Sequence, residues 1–206
     1  MMRKLAICLV VLATIIGTAE SSAQFRYGPT LGVDVTDLIF KQDIFTVEKS
    51  TGFSAGVAAE YMFPGIGFGI DTGLFYTQRG AKLNLGEKYI WSSEGYGNER
   101  SYLHYFEIPF HLRFKYTNLG GLEDYVAPYV FGGPSFNLLF AHNNLDALEY
   151  AKGEIGMTAG FGLELWKRWQ IQGSYTWGVV YSVKTALLDN HSAKNRTMKV
   201  SLVYLF

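Results

Sequence analysis

The residues best suited to acid–base or nucleophilic chemistry are His142 with Asp146, and His191 flanked by Asp189 and Ser192. A histidine beside a carboxylate moves a proton, and with a serine in reach it activates that serine for acyl transfer. Neither set comes with a G-x-S-x-G, H-E-x-x-H or P-loop spacing, so the most they could form is an enzyme on the rim of something else, acting on lipid. The chain is therefore expected not to be an enzyme. Its four histidines are scattered, and its only cysteine, Cys8, falls in the first 23 residues, so no metal cluster, disulfide framework or cofactor is expected.

A second set of chemically capable residues is charged and falls at even spacings: Asp34, Glu60, Asp71, Glu107, His111, Arg113, Lys115, Glu164 and Lys199. Even spacing puts side chains on one face of a strand. Apolar residues alternate with small or polar ones in eight segments: about 27–38, 52–63, 66–78, 102–116, 125–140, 154–166, 169–182 and 196–206. In 52–63, Phe53, Ala55, Val57, Ala59, Tyr61 and Phe63 share one face and Ser54, Gly56, Ala58 and Glu60 the other. In 102–116, His104, Phe106, Ile108, Phe110, Leu112 and Phe114 oppose Tyr105, Glu107, Pro109, His111, Arg113 and Lys115. Short connections at 64–65, 117–124 and 167–168 alternate with long ones at roughly 39–51, 80–101, 141–153 and 183–195. An even strand number with short turns on one rim and long loops on the other predicts an all-β fold, an eight-stranded antiparallel up-and-down transmembrane β-barrel.

Composition agrees with that layout. Of 206 residues, 49% are hydrophobic and only 17% charged, where a soluble domain carries about 25%. Lys and Arg balance Asp and Glu at 18 each, which excludes the basic excess of a nucleic-acid binder. Residues 1–23 have a basic start (Arg3, Lys4), an apolar run over 5–16 and small residues at 21–23, so they are expected to be a cleaved export signal, with 24–206 the barrel. A soluble sheet shows water many charges, but here the non-apolar face is mostly Gly, Ser, Thr and Gln, which suits a narrow barrel interior. Large aromatics gather near strand ends: Tyr61, Phe63, Phe68, Phe114, Trp169, Tyr204 and Phe206 toward the short turns, Tyr76, Phe106, Trp177 and Tyr181 toward the long loops. Two such girdles match the two interfaces of a bilayer.

On this reading the nine spaced residues face the lumen as a charge network that pairs internally, because an unpaired charge there is costly. Mixed inward charge also describes a narrow channel for ions or small solutes. Pro109 is expected to mark a bulge or bend, serine in place of Gly160 to be tolerated, and lysine at Val57 or Leu202 to be costly. In the longest connection, Tyr89, Trp91 and Tyr96 beside a G-Y-G run are candidates for contact with a surface ligand or protein partner.

The segment YFEIPFHLRFKY (105–116), followed by APYVFGGPSFNLLF (127–140), resembles the paired signature of PorT-like outer-membrane β-barrels of Gram-negative bacteria, in which an E-I-P strand precedes a P-Y…G-G-P-S strand. The terminal YLF, with Tyr204 and Phe206, resembles the C-terminal signal read by the outer-membrane assembly machinery. These resemblances imply a bacterial outer-membrane location with both termini periplasmic and contact with lipid and lipopolysaccharide. They imply no single role, since some PorT-like proteins serve protein-secretion assemblies. The chain is thus expected to be a structural or surface-binding barrel.

Overall fold

The structure, a computed structural model, describes residues 24–40, 47–65, 67–84, 98–117, 120–143, 148–180, 183–185 and 192–206. Its strands are β1 (Gln24–Phe40), β2 (Val47–Met62), β3 (Phe68–Asn84), β4 (Asn98–Lys115), β5 (Val126–His142), β6 (Leu148–Tyr150), β7 (Gly153–Leu165), β8 (Trp169–Gly178), β9 (Val183–Thr185) and β10 (Ser192–Tyr204). All but β6 and β9 pair with their neighbours, antiparallel, in the order β1-β2-β3-β4-β5-β7-β8-β10. The circle closes where β1 meets β10, with Thr30 opposite Val203 and Phe40 opposite Ala193. Closure leaves these eight strands without a free edge, as hydrocarbon surroundings require.

The strands outrun the alternation that predicts them. Where periodicity ends the third strand at 78 and starts the fourth at 102, the ladder continues to Asn84 opposite Asn98. The long connections shrink accordingly, and two of them contain β6 and β9, which pair with each other beside β10. Above a bilayer the outer face no longer has to be apolar, so the sequence pattern fades while backbone pairing persists. Tyr89, Trp91, Tyr96, Asp146, Tyr181, Asp189 and His191 lie outside the described residues, as does the segment 1–23.

The barrel is inside out. Among the described residues, 22 polar or charged side chains are buried against 8 hydrophobic ones, while Leu31, Val57, Leu112, Phe161 and Val200 are exposed. The apolar stripe therefore faces outward, which excludes the soluble sandwich that the same alternation could build. Aromatic rings pack side by side on the outer surface near each rim. Trp169 and Tyr204 lie 4.8 Å apart and Phe68 and Phe114 4.9 Å apart at the short-turn end. Phe106 and Phe140 lie 4.4 Å apart, and Phe53 and Tyr76 5.3 Å apart, nearer the long connections.

Two expectations need correction. No bulge lies at Pro109, which sits opposite Ser135 without a change of register, the β4–β5 shift falling at His104/Tyr105 instead; the β3–β4 ladder does lapse there, between Thr72/Phe110 and Phe75/Glu107, so only the bulge is corrected. The prolyl ring faces the lumen side, where its missing donor is absorbed without inserting a residue. Gly160 is not a permissive site. A Cβ there would press on the Phe131 ring and the Gly173 carbonyl, and one at Gly162 on the Tyr129 ring. These β7 glycines are the space into which the β5 aromatics opposite them lean.

Candidate functional site: the charged lumen

Near the short-turn end the inner face forms one continuous ion cluster. Glu60 Oε1 accepts from Arg26 Nη2 at 2.5 Å and Lys115 Nζ at 3.0 Å, and its Oε2 accepts from Arg113 Nη1 at 2.6 Å and Gln170 Nε2 at 2.7 Å. Glu164 Oε2 is shared by Arg26 at 2.5 Å, Lys115 at 2.8 Å and Gln170 at 2.8 Å. Arg113 Nε donates to Asp71 at 2.7 Å, and its guanidinium lies 3.9 Å from the centre of the Tyr129 ring. Three bases and three acids thus neutralise one another in a single layer. Strands β1, β2, β3, β4, β5, β7 and β8 supply it, and buried Val203 of β10 with Leu205 just beyond that strand closes it. Below it, a vestibule of about 420 Å³ is lined by Arg26, Phe63, Lys115, Asp124 and Lys167 among others.

Lys167 lies in the β7–β8 turn, where Trp166 and Lys167 both have positive φ, at 49° and 60°. Tertiary bonds hold this turn. Lys167 Nζ reaches Asp124 at 2.6 Å, and Arg26 Nη1 donates to the Lys167 carbonyl at 2.6 Å. The hydrogen-bonded Asp124 carboxylate also raises the Lys167 amine above its ordinary pKa.

Mid-barrel the wall is hydroxylated. Thr158, Thr176, Thr197, Thr36 and Ser50 stand opposite one another in register across β7, β8, β10, β1 and β2. Thr158 and Thr176 share a hydrogen bond at 2.8 Å, Ser135 joins Thr158 at 3.0 Å, and His111 Nε2 joins Ser135 Oγ at 3.1 Å. A histidine nitrogen on a serine hydroxyl is also the contact of a nucleophile with its base. Here Ser135 is fully buried, and the adjoining cavity of about 60 Å³ admits a few waters but no ester substrate. The pair completes the hydroxyl row.

Toward the long connections lies a second cluster, looser than the first. Glu107 Oε2 accepts from Arg79 at 2.6 Å, Lys199 at 3.1 Å and Thr77 at 3.1 Å. Lys199 stands 3.8 Å from Asp34, Arg79 Nη1 stands 3.9 Å from Glu154, and Asn195 donates to Glu154 at 2.7 Å.

All nine sequence-derived charged residues face this interior: Glu60, Asp71, Arg113, Lys115 and Glu164 in the first cluster, His111 between, and Asp34, Glu107 and Lys199 in the second. The periodic reading misses Arg26, Arg79, Glu154 and Asn195, because each lies just at or beyond a predicted strand end. Extending the same parity by a few residues finds them. They also mend the charge balance, since five acids against three bases becomes six against five. Of the rim candidates, His142 ends β5, exposed, with Nδ1 3.3 Å from the Asn143 carbonyl oxygen. Tyr204 packs edge-on against Phe206 at 5.2 Å, and Phe206 donates its backbone N–H to the Tyr27 carbonyl at 2.9 Å.

The model of a protein family described as outer membrane protein beta-barrel domain matches residues 19–182. Among solved structures, the chain is similar to Neisserial surface protein A, with a TM-score of 0.52 and 13% identity over 90% of this chain and 100% of that one. It is similar to the outer membrane protein OprG from Pseudomonas aeruginosa, with a TM-score of 0.53 and 11% identity over 90% and 96%. At these identities the likeness is one of fold. No curated protein sequence matches.

Proposed function

The chain belongs to the outer membrane protein β-barrel domain family, and we propose that in the bacterial outer membrane it is a closed barrel acting at the cell surface rather than as a conduit. The observation that carries this reading is the short-turn ion layer, to which seven of the eight barrel strands contribute a polar side chain and in which Glu60 alone takes four donors. An eight-stranded barrel is just wide enough to be filled by side chains, and these fill it with charges that satisfy one another. The short turns and both termini face the periplasm, residues 1–23 are removed on export, and the longer connections face outward. Lipid and lipopolysaccharide surround the apolar belt. The assembly machinery reads Tyr204 and Phe206, and a surface ligand or partner meets the connection at 85–97, through Tyr89, Trp91 and Tyr96. In the E-I-P strand, Glu107 belongs to the ion network and Pro109 to the lumen wall, so that motif is accounted for by the barrel and lends a secretion role no separate support.

Two measurements test the reading. The full chain in planar bilayers holds baseline current under voltage, and resolved steps would favour the channel instead. A peptide tag placed within 85–97 is labelled on intact cells and one at 118–119 is not; the opposite result would invert the orientation.

A further inference from the structure

The bases inside the barrel are paired, and two on its outer wall are not. Among the described residues, every Lys and Arg that faces the lumen makes an ion pair: Arg26, Arg79, Arg113, Lys115 and Lys199. Lys49 and Arg196 are exposed on the outer wall, and neither side chain makes an ion pair or a hydrogen bond. The register sets these two side by side. Arg196 of β10 stands opposite Trp177 of β8 on one side and Asp37 of β1 on the other. Asp37 and Lys49 of β2 follow directly on the paired Thr36 and Ser50. The row across four neighbouring strands is therefore Trp177, Arg196, Asp37, Lys49, with the two bases about 10 Å apart, twice the strand spacing. Side chains of that length can close on one group held between them. What stands below fixes their height: Leu202, Val200 and Met198 on β10, and Leu31, Val33 and Val35 on β1, run exposed up to the row. The apolar belt ends there, beside the exposed Trp177, as it does where hydrocarbon gives way to headgroups. Toward the same rim, the described outward side chains of β3 and β4 are Tyr76, Gln78, Tyr102 and His104, none of them Lys or Arg.

We propose that Arg196 and Lys49 hold the phosphate of one lipopolysaccharide molecule, whose acyl chains lie along the outer wall of β10 and β1. A guanidinium gives phosphate two parallel N–H groups, and an ammonium adds a point charge. The Asp37 carboxylate between them disfavours a free anion. A phosphate tethered to acyl chains on Val33, Val35, Val200 and Met198 is different, because the chains hold it there at an effective concentration that no free ion reaches. The inference rests on the reading that the long connections face outward, which puts this rim in the leaflet that carries lipopolysaccharide.

Native mass spectrometry of the full chain, refolded in detergent, tests it with bisphosphorylated lipid A as the probe. The unaltered protein retains one lipid A. Arg196→Gln combined with Lys49→Gln binds it about 30-fold more weakly, the loss expected for two interfacial bases, and still shifts on boiling, because neither side chain holds another residue. Lys152→Gln combined with Lys167→Gln removes the same charge from two other exposed positions and binds lipid A as the unaltered chain does. Equal binding by all three proteins would overturn the site. Displacement of lipid A by inorganic phosphate would reduce it to a simple anion site, and equal retention of phosphatidylglycerol or of dephosphorylated lipid A would remove lipopolysaccharide as its occupant; either overturns the proposal. Labelling of the tag at 118–119 on intact cells would instead overturn the orientation on which the proposal rests, a failure the binding measurement in detergent does not share.

Discussion

Glycine 160 shows how much a single position can hide. In the sequence it belongs to a row of small residues on β7 that looks indifferent to a hydroxymethyl group. In the barrel its missing Cβ is filled by the Phe131 ring from the strand opposite. Gly160→Ser therefore costs about 1–3 kcal/mol, the usual range for overpacking, seen as a lower urea midpoint for unfolding from lipid vesicles. Adding Phe131→Leu, which shortens the intruding ring, recovers part of the loss; strictly additive effects would show that the two side chains do not compete for the space. The lumen charges were legible for the converse reason. Parity assigns Glu60, Asp71, Glu107, Arg113 and Lys199 to the inner face without any knowledge of neighbours. Which carboxylate meets which cation depends on the stagger of eight strands, and Arg26 and Glu60, 34 residues apart, meet only once β1 and β2 are in register.

At the scale of elements, alternation locates every barrel strand, because a bilayer demands an apolar outer face at every second residue. It loses the strand ends, because that demand stops at the headgroups while hydrogen bonding between strands does not. The β7–β8 turn was legible as short but not as strained. Trp166 and Lys167 adopt the positive φ that a type I′ turn needs and that Asn-Gly would supply without penalty. Relief of one such residue is worth about 1 kcal/mol. The ion pair that Lys167 makes with Asp124 is exposed at both ends and contributes little in salt. Lys167→Gly is accordingly stabilising, by roughly 0.5–1 kcal/mol at 150 mM salt, read as slower unfolding in urea. A destabilised Lys167→Gly would mean that the Asp124 contact, not the backbone, decides the turn.

For the whole molecule the decisive fact is the inversion of inside and outside, and it ties stability to the solvent on each face. Val57 is 53% exposed and Leu202 43%, both on the outer wall. Lysine at either position costs about 2–4 kcal/mol at mid-bilayer depth, measured by unfolding from vesicles. In a water-soluble sheet the same exposed positions would take lysine at almost no cost, so a neutral outcome would remove the lipid from the argument.

At Phe206, folding and delivery to the membrane can be told apart by experiment. Phe206 is 68% exposed, and its backbone N–H, not its ring, bonds to Tyr27. The ring's contacts are with Tyr204 at 5.2 Å and Tyr27 at 6.0 Å, and such aromatic pairs are worth about 0.5–1.5 kcal/mol. Phe206→Ala thus lowers the stability of the refolded barrel by about 1 kcal/mol and leaves its gel shift on boiling intact. If the terminal aromatic is an address for the assembly machinery, the amount of Phe206→Ala reaching the outer membrane of cells falls far more steeply than that small loss accounts for. Quantifying heat-modifiable protein in outer-membrane fractions against the same variant refolded in vitro decides between these. Equal, small losses in both would assign Phe206 to the interfacial girdle and leave assembly to other features of β10, whereas a deficit confined to cells would show that the last residue is read before the barrel closes on it.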